Sequence, residues 1–199
     1  MSSRPRGRVI SFLGPDGAGK STILAGVERE LAQRTQKYKT FYFAPGYLKR
    51  YRPKAELTVT TNPHEGRQYG PLLVAMKIML MLFEFRMGIP RVRCDHSLAL
   101  FDRFIHDILV DPVRYRMGRL RWWMRVMLSL APRPDLLIVV TAPATVIHSR
   151  KQEVPFDETE RQISAYRELA KGFPFAIVIE NTSTPEAAIK TALTEILKQ

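Results

Sequence analysis

The octapeptide at residues 14–21, Gly-Pro-Asp-Gly-Ala-Gly-Lys-Ser, constrains the fold more than any other part of the sequence. It fits the pattern G-x-x-x-x-G-K-[ST], follows an apolar run of strand length and precedes a stretch of helical character. Its glycines let the backbone curl so that successive N–H groups face an anion, and the positive end of the following helix adds to that attraction. We therefore predict a phosphate-binding loop, in which Lys20 reaches the β- and γ-phosphates of a nucleotide and the Ser21 hydroxyl coordinates Mg²⁺.

Strand-length apolar runs alternate with helix-length stretches along the chain. The predicted strands are Arg8–Leu13, Thr40–Ala44, Ser97–Asp102, Asp135–Thr141 and Phe175–Glu180. The predicted helices are Lys20–Gln33, Pro71–Met87, Arg119–Leu130, Pro143–Lys151, Thr159–Lys171 and Pro185–Lys198. Such alternation, with strands that are apolar throughout, is typical of a parallel sheet covered on both faces. We predict one α/β domain over residues 1–199, a P-loop NTPase three-layer sandwich with a five-stranded parallel sheet and helices on both faces.

The composition narrows the class of partner and the compartment. The chain carries 31 Lys and Arg against 19 Asp and Glu, a formal net charge of +12, which favours anionic partners such as phosphorylated substrates, nucleic acid or an acidic membrane face. The single cysteine, Cys94, excludes an internal disulfide and favours a reducing compartment. We expect a cytoplasmic protein and leave a contact with the inner membrane surface open. No His/Cys cluster has metal-ligand spacing, so we expect no structural zinc.

The apolar stretch from Leu72 to Met87 requires a separate interpretation. Lys77 and Glu84 interrupt it, and it falls short of the ~20 residues that a membrane span requires. We therefore interpret it as a buried helix. The residues expected in its core are Met76, Met79, Met81 and Phe83.

A second motif, Asp102-Arg103-Phe104, stands at the end of the predicted third strand. In an open parallel sheet the carboxyl ends of the strands line the ligand crevice. An acid at that edge can hold Mg²⁺ through water, and a neighbouring arginine can bind an anionic group of an acceptor. Beside a phosphate-binding loop, this pair is predicted to be functional.

With these motifs the chain resembles the thymidylate kinase-like branch of the nucleoside monophosphate kinases. The likeness extends over roughly residues 8–170. Residues 14–22 resemble that branch's P-loop, and Asp102-Arg103-Phe104 resembles its D-R-[YFH] motif. Pro45-Gly46 after the second strand and Pro134-Asp135-Leu136 at the fourth strand also match the family's pattern. Arg150 and Lys151 stand where the family's lid begins, with Tyr166 and Leu169 on the following helix.

The resemblance implies a role for each site residue. The loop residues that would bind ATP are Gly14, Asp16, Gly17, Ala18, Gly19, Lys20, Ser21 and Thr22. Asp16 and Asp102 would organise the acceptor and the metal, with Ser21 and Asp102 as the Mg²⁺ ligands, and Arg103 would hold the acceptor. Arg150, in a lid around residues 148–160, would close over the transferring phosphoryl group together with Lys151. Members with Gly at the position of Gly17 usually supply the catalytic cation from the lid, and this chain has both features. The predicted catalytic residues are thus Lys20, Asp16, Asp102, Arg103 and Arg150.

The chain departs from the resembled pattern on the acceptor side. Phe43 and Ala44 stand where the family has an Arg-Glu pair that holds the monophosphate, and Thr141 replaces the family's strand-four aspartate. The sequence at residues 105–112 is not the family's usual continuation. Arg67 and Arg86 are candidate substitutes for the missing phosphate-binding arginine. The donor is therefore predicted as ATP with Mg²⁺, while the acceptor stays open.

Two further groups of residues keep alternative interpretations. His106, Asp107 and Asp111 follow the third strand, and either His106 or Asp107 contacts an acceptor hydroxyl, or these residues cap a short helical turn. The stretch 114–125 holds five arginines around Trp122 and Trp123. With Lys49, Arg50, Arg52 and Lys54 it forms a pocket for an anionic acceptor, a peripheral membrane contact, or a core-facing helix with a solvated cationic side.

These observations predict an ATP-dependent phosphotransferase acting on a nucleoside monophosphate or a related small-molecule acceptor that presents an anionic group or a hydroxyl. The alternative is a kinase of a sugar or lipid-linked glycan in cell-surface polysaccharide biosynthesis. A more distant alternative is an NTP-dependent nucleic-acid-binding module, which only the net charge favours, since the basic residues are scattered and no nucleic-acid fold signature is present. Formation of a homodimer is left open.

Overall fold

The computed structural model describes residues 6–48, 68–150, 154–182 and 184–198. The strands are β1 (Arg8–Leu13), β2 (Lys39–Tyr42), β3 (Leu98–Asp102), β4 (Leu136–Thr141) and β5 (Ala176–Glu180). The helices are α1 (Lys20–Gln33), α2 (Pro71–Asp95), α3 (Trp122–Ser129), α4 (Ala144–Arg150), α5 (Phe156–Lys171) and α6 (Pro185–Leu197), and a short 3₁₀ helix spans Ile105–Leu109. Among the described residues, no helix is long and apolar enough to cross a membrane.

The five strands form one parallel sheet in the order β2-β3-β1-β4-β5. β1 therefore lies in the middle, with β3 on one side and β4 on the other. Phe12 pairs with Asp102 and Leu13 with Val139. This register places the loop that follows β1 beside the carboxyl end of β3, and it confirms the predicted five-stranded parallel sheet.

The core consists of two apolar layers, one on each face of the sheet. Val9 and Leu13 of β1 face one layer, which includes Phe85 of α2, while Ile10 and Phe12 face the other, which includes residues of α1 and α6. The period of two along β1 is that of a strand buried on both faces. The three-layer sandwich predicted from the sequence is therefore confirmed.

Helix α2 runs eight residues beyond the predicted end at Met87, to Asp95. Gly88 and Pro90 favour an end in this region, since proline lacks the N–H of a helical bond. Gly88 is instead a point of close packing, because an added Cβ would lie 2.4 Å from Cγ of Pro45. Buried Ile89 and Val92 continue the apolar face past the proline. Tertiary packing thus overrides the local propensity.

The expectation of a wholly buried α2 is wrong. Met81 is buried, but Met76, Met79 and Phe83 are exposed by 52%, 61% and 49%. The reason is geometric: a helix that is apolar all round packs only one face on the sheet, and none of the described segments covers its other face. Glu84, which interrupts the apolar run, is fully buried and accepts the backbone N–H groups of Tyr47 and Leu48, both at 2.6 Å.

Candidate active site

The loop at residues 14–19 is held between β4 and the segment after β5. Gly14 and Gly19 have φ angles of 143° and 94°, a region that L side chains rarely adopt. A Cβ at Gly14 would lie 2.0 Å from the carbonyl oxygen of Val140, and one at Gly19 would lie 2.3 Å from Nδ2 of Asn181. Asn181 also donates to the carbonyl oxygen of Ala18 at 2.9 Å. The backbone at these positions therefore requires glycine both for its conformation and for the space.

Lys20, the first residue of α1, closes the loop from inside. Its ammonium group is buried and donates to the carbonyl oxygens of Gly14 at 2.7 Å and Pro15 at 2.8 Å. Burial and then the nearby Arg103 lower the pKa of Lys20 to about 8. The lysine is thus a desolvated cation held by two carbonyl groups that a phosphate group can replace.

Thirteen of the described residues line one cavity of about 480 Å³ at the carboxyl edge of the sheet. Its lining residues are Asp16, Gly17, Gly19, Lys20, Ser21, Thr22, Tyr42, Asp102, Arg103, Arg114, Arg150, Asn181 and Pro185. The volume lies within the range of small-molecule sites. The structure therefore brings together every predicted catalytic residue and most of the predicted loop residues. Gly14 and Ala18 do not line the cavity, because Gly14 lies behind the loop against β4 and Ala18 packs in the core.

Ser21 and Asp102, the predicted Mg²⁺ ligands, both line this cavity. Burial raises the pKa of the Asp102 carboxyl above its usual value, so a divalent cation at this edge would compensate a charge that water solvates poorly. The described part of the chain contains no group of three or more His, Cys, Asp or Glu residues able to hold a metal by themselves. This donor set fits Mg²⁺, which commonly takes one or two protein oxygens together with phosphate oxygens and water.

Arg103 lies at a sharp bend that follows β3. Its φ angle is 68°, and its backbone N–H donates to the carbonyl oxygen of Phe12 on β1 at 3.0 Å. The guanidinium is buried, donates from Nη1 to Asp107 at 2.6 Å, and donates from Nη2 to Oδ1 of Asp16. The bend therefore directs the arginine at the phosphate-binding loop rather than along the strand.

Arg114 lines the cavity, although the sequence did not single it out within the basic stretch 114–125, for which a pocket for an anionic acceptor was one of three interpretations. Its Nη1 donates to Oδ2 of Asp16, so Asp16 lies between two guanidinium groups. Its backbone N–H donates to Oδ1 of buried Asp111 at 3.1 Å, which fixes the turn that carries it. No local feature of the sequence separates Arg114 from the other arginines of this stretch, since its place at the cavity depends on the turn at 111–116 and on the contact with Asp16.

The comparisons with known proteins agree on one fold. A thymidylate kinase of Pediococcus pentosaceus is 27% identical over 211 aligned residues, which cover 97% of this chain and 98% of that protein. The crystal structure of thymidylate kinase from Ehrlichia chaffeensis superimposes with a TM-score of 0.64 at 15% identity, over 98% of this chain and 100% of that one. No family model matches the chain. The fold is thymidylate kinase-like. Both similar proteins are kinases by name, in agreement with the predicted ATP-dependent phosphotransferase.

Within the thymidylate kinase-like fold, Asp107 has a role that neither sequence interpretation anticipated. Its carboxylate is fully buried and accepts hydrogen bonds from Arg103, from the Tyr115 hydroxyl at 2.7 Å and from the Tyr166 hydroxyl at 2.5 Å. Burial and the charge of Asp107 raise the pKa of both tyrosine hydroxyls well above their usual value. Asp107 neither faces the cavity nor caps a helix; it anchors Arg103 from behind.

His106 also points away from the cavity of this kinase-like fold. Its ring stacks on Phe104 at 5.7 Å and meets the edge of Phe173 at 5.0 Å. Burial, and then the charge of Arg133, lower the pKa of His106 to about 4. The histidine is therefore a neutral core residue at physiological pH, and it does not line the cavity from which it was predicted to contact an acceptor hydroxyl.

The position where the resembled kinases have a phosphate-binding arginine is aromatic in structure as well as in sequence. Phe43 has a φ angle of 60° and packs its ring against Tyr115 at 5.0 Å and Phe85 at 5.9 Å. Arg86 donates to the carbonyl oxygen of Leu130 at 3.2 Å and does not line the cavity, so its prediction as a substitute is wrong. Arg67, the other candidate, lies outside the described residues.

Arg150, which is predicted to act from the lid, ends α4 and lines the cavity. A Cβ built on Gly19 would lie 4.0 Å from its Nη1, which shows how near the guanidinium is to the loop. Lys151 lies outside the described residues.

The basic stretch 114–125 divides between three environments. Arg114 enters the cavity, α3 buries Met124 and Leu128, and Trp122 is 77% exposed. The stretch is therefore not one surface. The lysines and arginines that were grouped with it, at positions 49, 50, 52 and 54, lie outside the described residues.

Proposed function

We propose that the protein is an ATP-dependent kinase that transfers the γ-phosphoryl group of ATP to a nucleoside monophosphate or a related small-molecule acceptor. The observation that carries the proposal is the cavity of about 480 Å³ with the Gly14–Ser21 loop on one wall and Arg103 and Arg114 on the other. The similarity to two proteins named thymidylate kinase supports it. We also propose a cytoplasmic location, since the substrate ATP is intracellular and Cys94 is an exposed free thiol.

The donor side would hold ATP through groups that are already oriented. On binding, the Lys20 ammonium would exchange the carbonyl oxygens of Gly14 and Pro15 for β- and γ-phosphate oxygens. Ser21 and Asp102 would hold Mg²⁺, whose charge offsets that of the phosphates. Loop N–H groups and the N-terminus of α1 would complete the anion site.

Arg150 would act at the transferring phosphoryl group. Charge spreads over the equatorial oxygens during transfer, and a cation that meets it there lowers the barrier. Arg150 is exposed and ends a helix beside the segment 151–153. This position suits a group that approaches the phosphates when the lid is closed.

The direct test is a coupled ADP-release assay with ATP and Mg²⁺ against nucleoside monophosphates, sugars and oligonucleotides. We expect turnover with a phosphate-bearing small molecule, and we expect dTMP to be at least about tenfold poorer than for a typical member of the family, because Phe43 offers no bidentate partner to a phosphate. An Arg103→Ala variant is the control for acceptor binding. A kcat/KM for dTMP above ~10⁴ M⁻¹s⁻¹ would show that Phe43 is no obstacle. Transfer only to sugars would favour the glycan kinase instead.

For the partner of the exposed face of α2 we propose a second copy of the chain. An apolar stripe repeats there at intervals of three and four residues, the spacing of a helix-packing seam. The exposed α2 stripe consists of Leu72, Met76, Met79, Phe83 and Met87. Such a stripe is rare on a monomer, and a two-fold axis lets the same stripe bury itself.

Light scattering after size exclusion tests the dimer. We expect a dimer for the wild type and a monomer for Phe83→Glu, while Lys190→Glu, which also introduces a carboxylate at an exposed site but on α6, leaves the dimer intact. A wild type that is monomeric and binds anionic phospholipid vesicles through the same stripe would support a membrane contact instead.

A further inference from the structure

We propose that Arg114 is a specificity-determining residue that binds an acceptor phosphate together with Arg103, so that the site takes acceptors carrying a phosphate and rejects the same molecules without it. This inference rests on the proposed kinase function and deepens it by naming the acceptor class and the residue that selects it.

The charges of the cavity wall are the first step. Among the described residues, four cationic side chains and two carboxylates line it: Lys20, Arg103, Arg114 and Arg150 against Asp16 and Asp102. Lys20 and Arg150 lie at the phosphate-binding loop, where the negative charge of ATP would be held. Two arginines therefore remain beyond the donor groups. An excess of cations in a partly enclosed cavity favours a further anion.

The arrangement around Asp16 is the second step. Oδ1 of Asp16 accepts from Arg103 and Oδ2 accepts from Arg114, so one carboxylate bridges two guanidinium groups. Guanidinium forks bind carboxylate and phosphate oxygens with the same planar, paired geometry. The two arginines therefore already converge on an oxyanion, and a phosphate oxygen can take the same kind of partner.

The difference between the two arginines is the third step. Arg103 is fixed by two carboxylates, Asp16 and Asp107, and its side chain is 5% exposed. Among the described residues Arg114 forms its ion pair with Asp16, and its side chain is 20% exposed. If Arg114 turned to a ligand, Asp16 would keep Arg103 and the Lys20 ammonium at 3.5 Å. The exchange leaves no buried charge without a partner, so Arg114 is the arginine that can follow a substrate.

The support for the Arg114 backbone is the fourth step. Asp111 accepts its N–H, and the neighbouring Tyr115 donates its hydroxyl to Asp107 and packs its ring on Phe43. Phe43 thus supplies no cation itself, but its ring supports the turn that carries one. Arg114 thus combines a fixed backbone with a side chain that can move, and this combination suits the binding of a phosphate at a defined position.

The experiment measures phosphoryl transfer and equilibrium binding with matched pairs: dTMP and thymidine, AMP and adenosine, and glucose 6-phosphate and glucose. Binding is measured by calorimetry in the presence of ADP and Mg²⁺. We expect binding or turnover only with phosphorylated members of the pairs. For the best of them, Arg114→Gln should raise KM or Kd about 10- to 100-fold, change kcat less, and leave the KM for ATP within about twofold.

Two further variants make the result specific. Arg114→Lys keeps a charge without the fork and should recover part of the lost acceptor affinity. Arg116→Gln removes an exposed arginine two residues away that does not line the cavity, and it should behave as the wild type. If Arg114→Gln fails to fold, the Arg114→Lys variant carries the same comparison of acceptor and ATP constants.

Three outcomes would overturn the inference. They are turnover with the unphosphorylated member of a pair at a similar kcat/KM, no binding of any phosphorylated probe, and an Arg114 effect on the KM for ATP instead of that for the acceptor. Calorimetry with MgATP alone separates these from a failure of the proposed function. If the protein binds MgATP but gives one of these three outcomes, the proposed kinase function stands and the proposed acceptor specificity fails. If the wild type binds no ATP, the proposed kinase function itself fails.

Discussion

The two walls of the cavity differ in how their residues are drawn from the chain. The donor wall is one contiguous loop, residues 14–21, whose backbone N–H groups and single lysine would bind the phosphates in the proposed function. The acceptor wall joins a bend after β3, a turn at 111–116 and the hydroxyl of a tyrosine on α5, and each of its charges is fixed by another. Chemistry carried by a local backbone shape can be predicted from a short motif, while chemistry carried by paired side chains depends on tertiary contacts.

The two walls also differ in the solvent exposure of their residues. Ser21 and Thr22 are exposed to the cavity, whereas Asp107, which supports the acceptor wall, has no exposed surface. Changes on the donor wall should therefore act on catalysis with little effect on folding. Changes behind the acceptor wall should act on stability as well, because they leave buried charges or polar groups without partners.

The largest effect is expected from Lys20→Ala on the donor wall. Removal of the ammonium that the phosphate-binding loop directs at the β- and γ-phosphates should lower kcat/KM by at least ~10³-fold. The thermal midpoint should stay close to that of the wild type, since Lys20 contacts two loop carbonyls and no core side chain. Coupled ADP release and a calorimetric scan measure the two quantities, and normal turnover of the variant would contradict the kinase assignment.

Arg150→Ala should come next, because it removes charge from the transition state rather than from bound ATP. We expect kcat to fall by ~10²-fold while the KM for ATP changes little. The matched control is Ser149→Ala, since Ser149 is exposed, precedes Arg150 on α4 and donates to the carbonyl oxygen of Val146 within the same helix. A rise in the KM for ATP at constant kcat would make Arg150 a plain binding cation.

The fold and the donor wall follow from the sequence for physical reasons that particular residues illustrate. β4 is apolar at every position except its last, Thr141, because both faces of the sheet are covered, and Lys20–Gln33 was predicted with the bounds that the structure has. The acceptor wall does not follow in the same way. Nothing local distinguishes Arg114 from the arginines that follow it, and it is a tertiary contact, with Asp16 98 positions earlier, that holds it at the cavity.

His106, behind the acceptor wall, should make stability depend on pH. Its pKa in the folded state is about 4, below its ordinary value of 6.5, because burial and then Arg133 oppose the charge. Between these two pH values the unfolded chain therefore binds more protons than the folded chain. The contribution of neutral His106 to the free energy of unfolding is fully present above pH 6.5 and is lost as the pH drops towards 4. The loss should approach about 3 kcal/mol.

Urea unfolding of the wild type and of His106→Leu at a series of pH values measures this dependence. The variant should lose this part of the acid sensitivity whatever its stability at neutral pH. Equal slopes for the two proteins between pH 6.5 and pH 4 would show that His106 carries no such linkage.

The smallest effect, and the one that probes the acceptor wall most finely, is expected from Tyr166→Phe. The Tyr166 hydroxyl donates to Oδ1 of Asp107 at 2.5 Å, whereas Arg103 and Tyr115 both donate to Oδ2. Loss of the Tyr166 hydroxyl would leave a buried carboxylate oxygen without its donor, at a cost of about 1–2 kcal/mol in the free energy of unfolding. Tyr115→Phe should cost less, because Oδ2 keeps the Arg103 guanidinium.

Arg103 stays in place in both variants, so the acceptor KM should rise only a few-fold and the KM for ATP should not change. Urea unfolding and steady-state kinetics of the two variants make the comparison. An equal or larger loss of stability in Tyr115→Phe would mean that the two carboxylate oxygens share their donors, and that α5 does not support the acceptor wall through this bond.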